Sequence, residues 1–60
     1  MSNKIKVRRE HLNLTQKEVA DQLHIAESAY QRYEQDKSEP AVRRALAIAK
    51  VLKTTVDKLY

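Results

Sequence analysis

Apolar residues recur at helical spacing along most of the chain, and polar interruptions divide it into five helical stretches. The first is expected from about Asn3 to Leu12, with Ile5, Leu12 and the aliphatic stem of Arg8 or Arg9 on one side and Asn13 as its stop. The second opens on the strongest local signal in the sequence. In Thr15-Gln16-Lys17-Glu18 the threonine hydroxyl can take the amide of Glu18 while the glutamate carboxylate returns to the amide of Thr15, and Leu14 and Val19 stand where a hydrophobic staple needs them. Helix two is therefore expected to start at Gln16, to turn Val19, Ala20 and Leu23 inward, and to end near His24. Glu27 to Gln35 reads as a third helix with Tyr30 and Tyr33 inward and their hydroxyls reaching the surface. A fourth, from about Ala41 to Leu52, carries Val42, Ala45, Leu46, Ala49 and Leu52 along one stripe. Thr54 or Thr55 then caps a last turn or two that holds Val56 and Leu59.

Only His24, Ile25 and Ala26 separate the second helix from the third. Two short helices joined so tightly cannot lie antiparallel and must cross steeply, which is the geometry of a helix-turn-helix. Composition agrees with an all-α chain: there is no Gly and one Pro, so the turn glycines that a β-rich fold needs are missing. No repeat, low-complexity tract or linker interrupts the sequence, and residues 1–60 are expected to form one compact five-helix domain.

Several function classes fall away on chemistry. Without Cys there is neither a disulfide framework nor a thiolate metal site, and His11 and His24 lie on different elements without metal-ligand spacing. Ser28 has no base nearby in sequence, and so short a chain has little room for a closed pocket. Neither an enzyme, a metal site nor a cofactor is expected. Nothing approaches the run of about 20 apolar residues that crosses a bilayer, which leaves the cytoplasm as the default compartment. Twelve basic residues against eight acidic ones give +4, a bias that suits a polyanionic partner and equally suits ordinary solubility.

The residues that decide between these are spread over the whole chain. Arg8-Arg9, Leu14-Thr15-Gln16, Val19-Ala20, Leu23, Ile25, Tyr33-Glu34, Pro40, Ile48-Ala49, Leu52 and Val56-Asp57-Lys58-Leu59 together resemble the helix-turn-helix DNA-binding domains of the phage repressor and Cro superfamily, the XRE-like proteins. That resemblance implies a lambda-repressor-like fold in which helices two and three form the motif. It also implies a bacterial or phage-encoded transcriptional repressor that binds a palindromic double-stranded DNA operator as a homodimer, with helix three in the major groove. It pairs Arg9 with Glu34 as a structural ion pair. It puts Gln16 and Lys17, at the start of helix two, against phosphate, where free amides and the helix dipole favour an anion. Glu27 and Ser28 then face base edges, with Gln31 and Arg32 one turn further on, and Gln35, Lys37 and Ser38 touch phosphate or sugar.

By base-edge chemistry Glu27 accepts from a cytosine amino group, Arg32 donates to guanine or phosphate, and Gln16 or Gln31 pairs with adenine. Plainer readings stand beside each: Glu27 suits any first helical turn, and Gln31, Arg32 and Lys37 suit any solvated surface. Arg43 and Arg44 are either a tolerated solvated pair or a phosphate contact.

The chain departs from the family pattern at three corners, where His24, Asp36 and Lys53 stand in place of glycine, and at two caps, where Ala26 and Ala41 replace Ser or Thr. Those departures bear on stability and leave the proposed DNA face intact. The homodimer is expected to use Val56, Leu59 and Tyr60, or else a segment of a longer protein beyond Tyr60. The competing reading is a protein-binding, coactivator-like module or a DNA-binding antitoxin, and an apolar patch on the recognition face would favour it.

Overall fold

The computed structural model describes residues 3–60, and among them all regular structure is helical. The elements are α1 (Ile5–His11), α2 (Gln16–Leu23), α3 (Glu27–Glu34), α4 (Val42–Val51) and α5 (Val56–Leu59). Their bounds follow from where the chain can satisfy its free backbone groups. α1 begins at Ile5 rather than Asn3 because the Asn3 side-chain oxygen accepts from the Ile5 amide at 3.0 Å. At α2 the capping box forms: the Glu18 amide donates to Thr15 Oγ1 at 3.0 Å, and the Thr15 amide donates to Glu18 Oε1 at 2.9 Å. α3 and α4 start at Ala26 and Ala41 without a side-chain cap, and Thr55 occupies the cap position of α5 without making the capping bond expected of it.

The four longer helices end in one way. Asn13, His24, Asp36 and Lys53 all have φ between 57° and 59°, the left-handed region. In each case the residue after it donates its amide across the corner, Leu14 to Arg9, Ile25 to Ala20, Lys37 to Arg32 and Thr54 to Ala49, at 2.9–3.2 Å. These are Schellman turns, and glycine serves in none of them. Asn, His and Asp are the residues that tolerate this conformation best, whereas Lys53 bears the steric cost of its Cβ. That corner has a prop that the sequence did not reveal. Arg8 donates from Nε to the Leu52 carbonyl at 2.8 Å and from its terminal nitrogen to the Lys53 carbonyl at 3.0 Å.

Ile5, Val19, Ala20, Tyr30, Ile48, Ala49, Leu52 and Leu59 form the core, with Leu12, Leu14, Leu23, Ile25, Tyr33, Val51 and Val56 packed around it. Ala20 is almost fully buried between α2 and its neighbours, where a larger side chain would hold the motif's helices apart. Two expectations about inward faces need correction. In α4 the stripe rotates, so that Ile48, Ala49 and Leu52 are buried while Val42 and Leu46 are 76% and 58% exposed. Residues 45–49 of this helix are apolar on every side, so periodicity could not choose the face that the core takes. The Tyr30 hydroxyl, expected at the surface, is buried with the rest of its ring.

Candidate nucleic-acid interface

α2 packs on α3 with its start beside the middle of α3, and a chain of polar side chains runs between them. It begins inside the protein. Arg9 Nε lies 2.6 Å from Glu34 Oε2, a second guanidinium nitrogen lies 3.3 Å from Glu34 Oε1, and a third donates to the Leu14 carbonyl at 2.8 Å. Both residues are buried, so the arrangement that the resemblance implied for this pair is present. The hydrogen bond to Glu34 raises the Arg9 pKa above its ordinary value. Burial pushes Glu34 the other way, towards protonation. Hydrogen bonding and charge from Arg9, with smaller contributions from Tyr30 and Gln16, outweigh it and hold the carboxyl below its ordinary range.

Tyr30 closes this buried cluster. Among the described residues its hydroxyl finds no partner at good hydrogen-bond geometry, although Glu34 is near enough for the two groups to shift one another. Burial first, and then the neighbouring carboxylate, push the phenol well above its ordinary value.

From Glu34 the chain of bonds climbs to the surface. Gln16 Nε2 donates to Glu34 Oε1 at 3.0 Å, and Gln31 Nε2 donates to Gln16 Oε1, also at 3.0 Å. Gln31 Nε2 also stands 3.5 Å from Glu27 Oε2, at the outer limit of a hydrogen bond. Three of the residues expected to touch DNA are thus joined to one another and to the Arg9–Glu34 pair, and Gln16 and Gln31 are half-buried in consequence.

The other expected contacts are placed differently. Lys17 is exposed and reaches Asp21 at 3.4 Å, a solvated pair of little energetic consequence. Glu27 and Ser28 lie exposed in the first turn of α3, with Arg32 exposed one turn on. Gln35 and Lys37 are exposed at the end of α3, and Ser38 is half-buried beside them. Arg43 is exposed, whereas Arg44 is half-buried and donates to the Tyr33 hydroxyl at 3.4 Å.

Asn3 was missed from sequence. Its side chain donates to the Tyr33 carbonyl at 2.8 Å and to Asp36 Oδ1 at 2.7 Å, and its amide reaches Asp36 Oδ2 at 3.2 Å. It therefore straps the start of the described chain to the corner after α3. A bond between residues 33 positions apart leaves no local signal to read.

The groove beside α4 and α5 carries a different surface. Pro40, Val42, Ala45, Leu46, Val56 and Tyr60 line an open, mainly apolar groove of about 640 Å³ beside α4 and α5, with Glu39 and Asp57 also in its lining. Leu59, expected on a self-association surface, is instead buried in the core. Among the described residues no cluster of three His, Cys, Asp or Glu could hold a metal ion, and no helix is long and apolar enough to cross a membrane.

The helix-turn-helix family model matches residues 5–59, from the first residue of α1 to the last of α5. No curated protein matches the sequence.

Proposed function

Since the chain belongs to the Cro/C1-type, XRE-like helix-turn-helix family of DNA-binding transcription regulators, we propose that it is a repressor that grips a palindromic operator as a homodimer, with α3 in the major groove. The observation that supports this best is the character of the recognition surface. Glu27, Ser28, Gln31 and Arg32 are all polar, and Gln35, Lys37 and Ser38 follow them with hydroxyl, amide and ammonium groups suited to phosphate. In this reading Gln16 and Lys17 sit at the phosphate backbone beside the positive end of α2.

Dimerisation is assigned to the α4–α5 groove. One recognition helix contacts only a few base pairs, so useful specificity needs a second one a helical turn away. Val42 and Leu46 supply exposed apolar area there, and Tyr60 adjoins it while also lining a neighbouring pocket with Lys37 and Ser38. A domain bound at an operator acts most simply by blocking polymerase, in a bacterial cytoplasm where DNA is directly accessible. Binding, not catalysis, is the activity.

Titration of the protein against a randomised duplex pool at two salt concentrations, with sequencing of the selected fraction, tests the reading. It expects an enriched palindrome with half-site centres about 10 base pairs apart. Weak binding that disappears with salt and enriches nothing would reduce the interaction to the +4 charge alone, and would favour a protein partner for the groove.

A further inference from the structure

The relay that ends at Gln31 has a direction that its chemistry enforces. A guanidinium has only donors and an ionised carboxylate only acceptors, so Glu34 meets both Arg9 and Gln16 as an acceptor. Gln16 must therefore turn its NH₂ towards Glu34, and the end left for Gln31 is its carbonyl oxygen. Gln31 can answer a carbonyl only with its own NH₂. The orientation of two carboxamides, ambiguous for an isolated glutamine, is set here by a buried ion pair two bonds away. Burial favours protonation of Glu34, but Arg9, Tyr30 and Gln16 together outweigh it and keep the carboxyl ionised at neutral pH.

Among the described residues Gln31 bonds only through its nitrogen, which leaves Oε1 as its uncommitted acceptor. Its nitrogen faces Gln16 on one side and the Glu27 carboxylate on the other. Glu27, one turn earlier on α3, is itself an acceptor. We infer that Gln31 is a specificity-determining residue that meets DNA as an acceptor only and selects a base carrying a major-groove amino group, with Gln16 as the positioning residue that fixes its polarity. The inference rests on the reading of α3 as the recognition helix. It replaces the bidentate pairing of Gln31 with adenine that its residue type alone suggested, because that pairing needs the NH₂ to reach N7. Adenine offers N6–H and cytosine N4–H to such an acceptor. Guanine O6 and N7 and thymine O4 are acceptors themselves and are rejected.

Site selection from a randomised duplex pool, run in parallel on the unaltered protein, Gln31→Ala and Gln16→Ala, tests the inference. The position whose preference disappears in Gln31→Ala is the one Gln31 reads, and its single major-groove amino group, on adenine or on cytosine, is the expected partner of Oε1. An analogue lacking the exocyclic amino group there should bind the unaltered protein about five- to tenfold more weakly, the worth of one hydrogen bond and its unpaired acceptor. Where the base is adenine, replacing N7 by carbon should change binding by less than about twofold, since no hydrogen bond is lost. Gln16→Ala should weaken discrimination at that position while preferences elsewhere in the half-site persist. Binding that is unchanged when that amino group is removed, or a tenfold loss on removing N7, would overturn the acceptor-only assignment. Uniformly weaker binding by Gln16→Ala with discrimination intact would overturn its positioning role. A defined operator whose every preference survives Gln31→Ala would refute the inference and leave the DNA-binding reading standing, whereas enrichment of no sequence at all would remove both.

Discussion

The α1–α3 half and the α4–α5 half of this molecule solve opposite problems with opposite chemistry. Between α1, α2 and α3 the chain buries an ion pair and extends it to the surface through two glutamines, so the polar side chains of that face are held by named bonds. Between α4 and α5 it leaves Val42, Leu46 and Tyr60 76%, 58% and 48% exposed. Oriented polar groups suit a partner whose recognition depends on donor and acceptor placement. Exposed apolar area suits a partner that gains from excluding water. The contrast teaches that the two faces differ in kind, and substitutions in them should fail in different assays.

The sharpest way to break the contrast is Arg9→Ala. It strands the Glu34 carboxylate in the interior and should cost about 3–5 kcal/mol, a large share of the stability of so small a domain. Thermal melting followed by circular dichroism should register that loss, while the folded fraction keeps most of its DNA affinity. Unchanged melting with lost binding would make Arg9 a DNA contact instead. The same pair sets the acid limb. Because the folded Glu34 releases its proton below the ordinary value of 4.5, the unfolded chain binds more protons in that range. Stability from this group is thus complete above about pH 4.5 and is lost as pH falls through the folded value, a slope that Glu34→Gln should flatten.

Leu46→Asp probes the other half. Its side chain is mostly in water, so melting of the monomer should move by no more than about 0.5 kcal/mol. Sedimentation should nevertheless find self-association weakened on the order of tenfold. A large loss of monomer stability with unchanged association would return Leu46 to the core and remove the groove from the dimer.

Tyr30→Phe tests how complete the polar half is. The hydroxyl is buried without a well-formed hydrogen bond, so its removal should be neutral or should stabilise by up to about 1 kcal/mol. It should also blunt alkaline unfolding. Burial, followed by Glu34, raises the folded pKa, so the stability this group contributes is present below the ordinary value of 10.0 and is lost as pH rises above it. A chemical denaturation series across that range reads both effects. A loss of about 1 kcal/mol would mean that the hydroxyl is bonded to Glu34 after all.

Lys53→Gly carries the smallest expectation, a change between neutral and a gain of about 1 kcal/mol, since relief of left-handed strain competes with a more flexible unfolded chain. A clear drop in melting temperature would show that Arg8, bonded to the carbonyls of Leu52 and Lys53, removes the strain that the φ value implies.

Local chemistry made much of this fold legible in the sequence. The Thr15–Glu18 box marked the start of α2, and the three residues between α2 and α3 marked the helix-turn-helix. His24, Asp36 and Lys53 could be expected at left-handed corners because the resemblance places glycine there. What sequence could not supply was long-range or degenerate. The Asn3–Asp36 strap and the Arg8 prop join distant positions with no periodic trace. The rotation of α4 was hidden because alanines on all its faces left two stripes equally plausible as core. At the interface, residue types were readable but their polarity was not. Only the bond from Gln16 to Glu34 determines which end of Gln31 is free.

The central claim is that two copies read one operator together, joined through the apolar groove. Sedimentation equilibrium of the protein with its selected duplex tests it most directly, run beside hydroxyl-radical footprinting of the same complex. The account predicts two protomers per duplex and two protected patches on one face of the DNA, their centres about 10 base pairs apart, with both signals reduced together by Leu46→Asp. One protomer per duplex at full affinity, with a single protected patch, would contradict it.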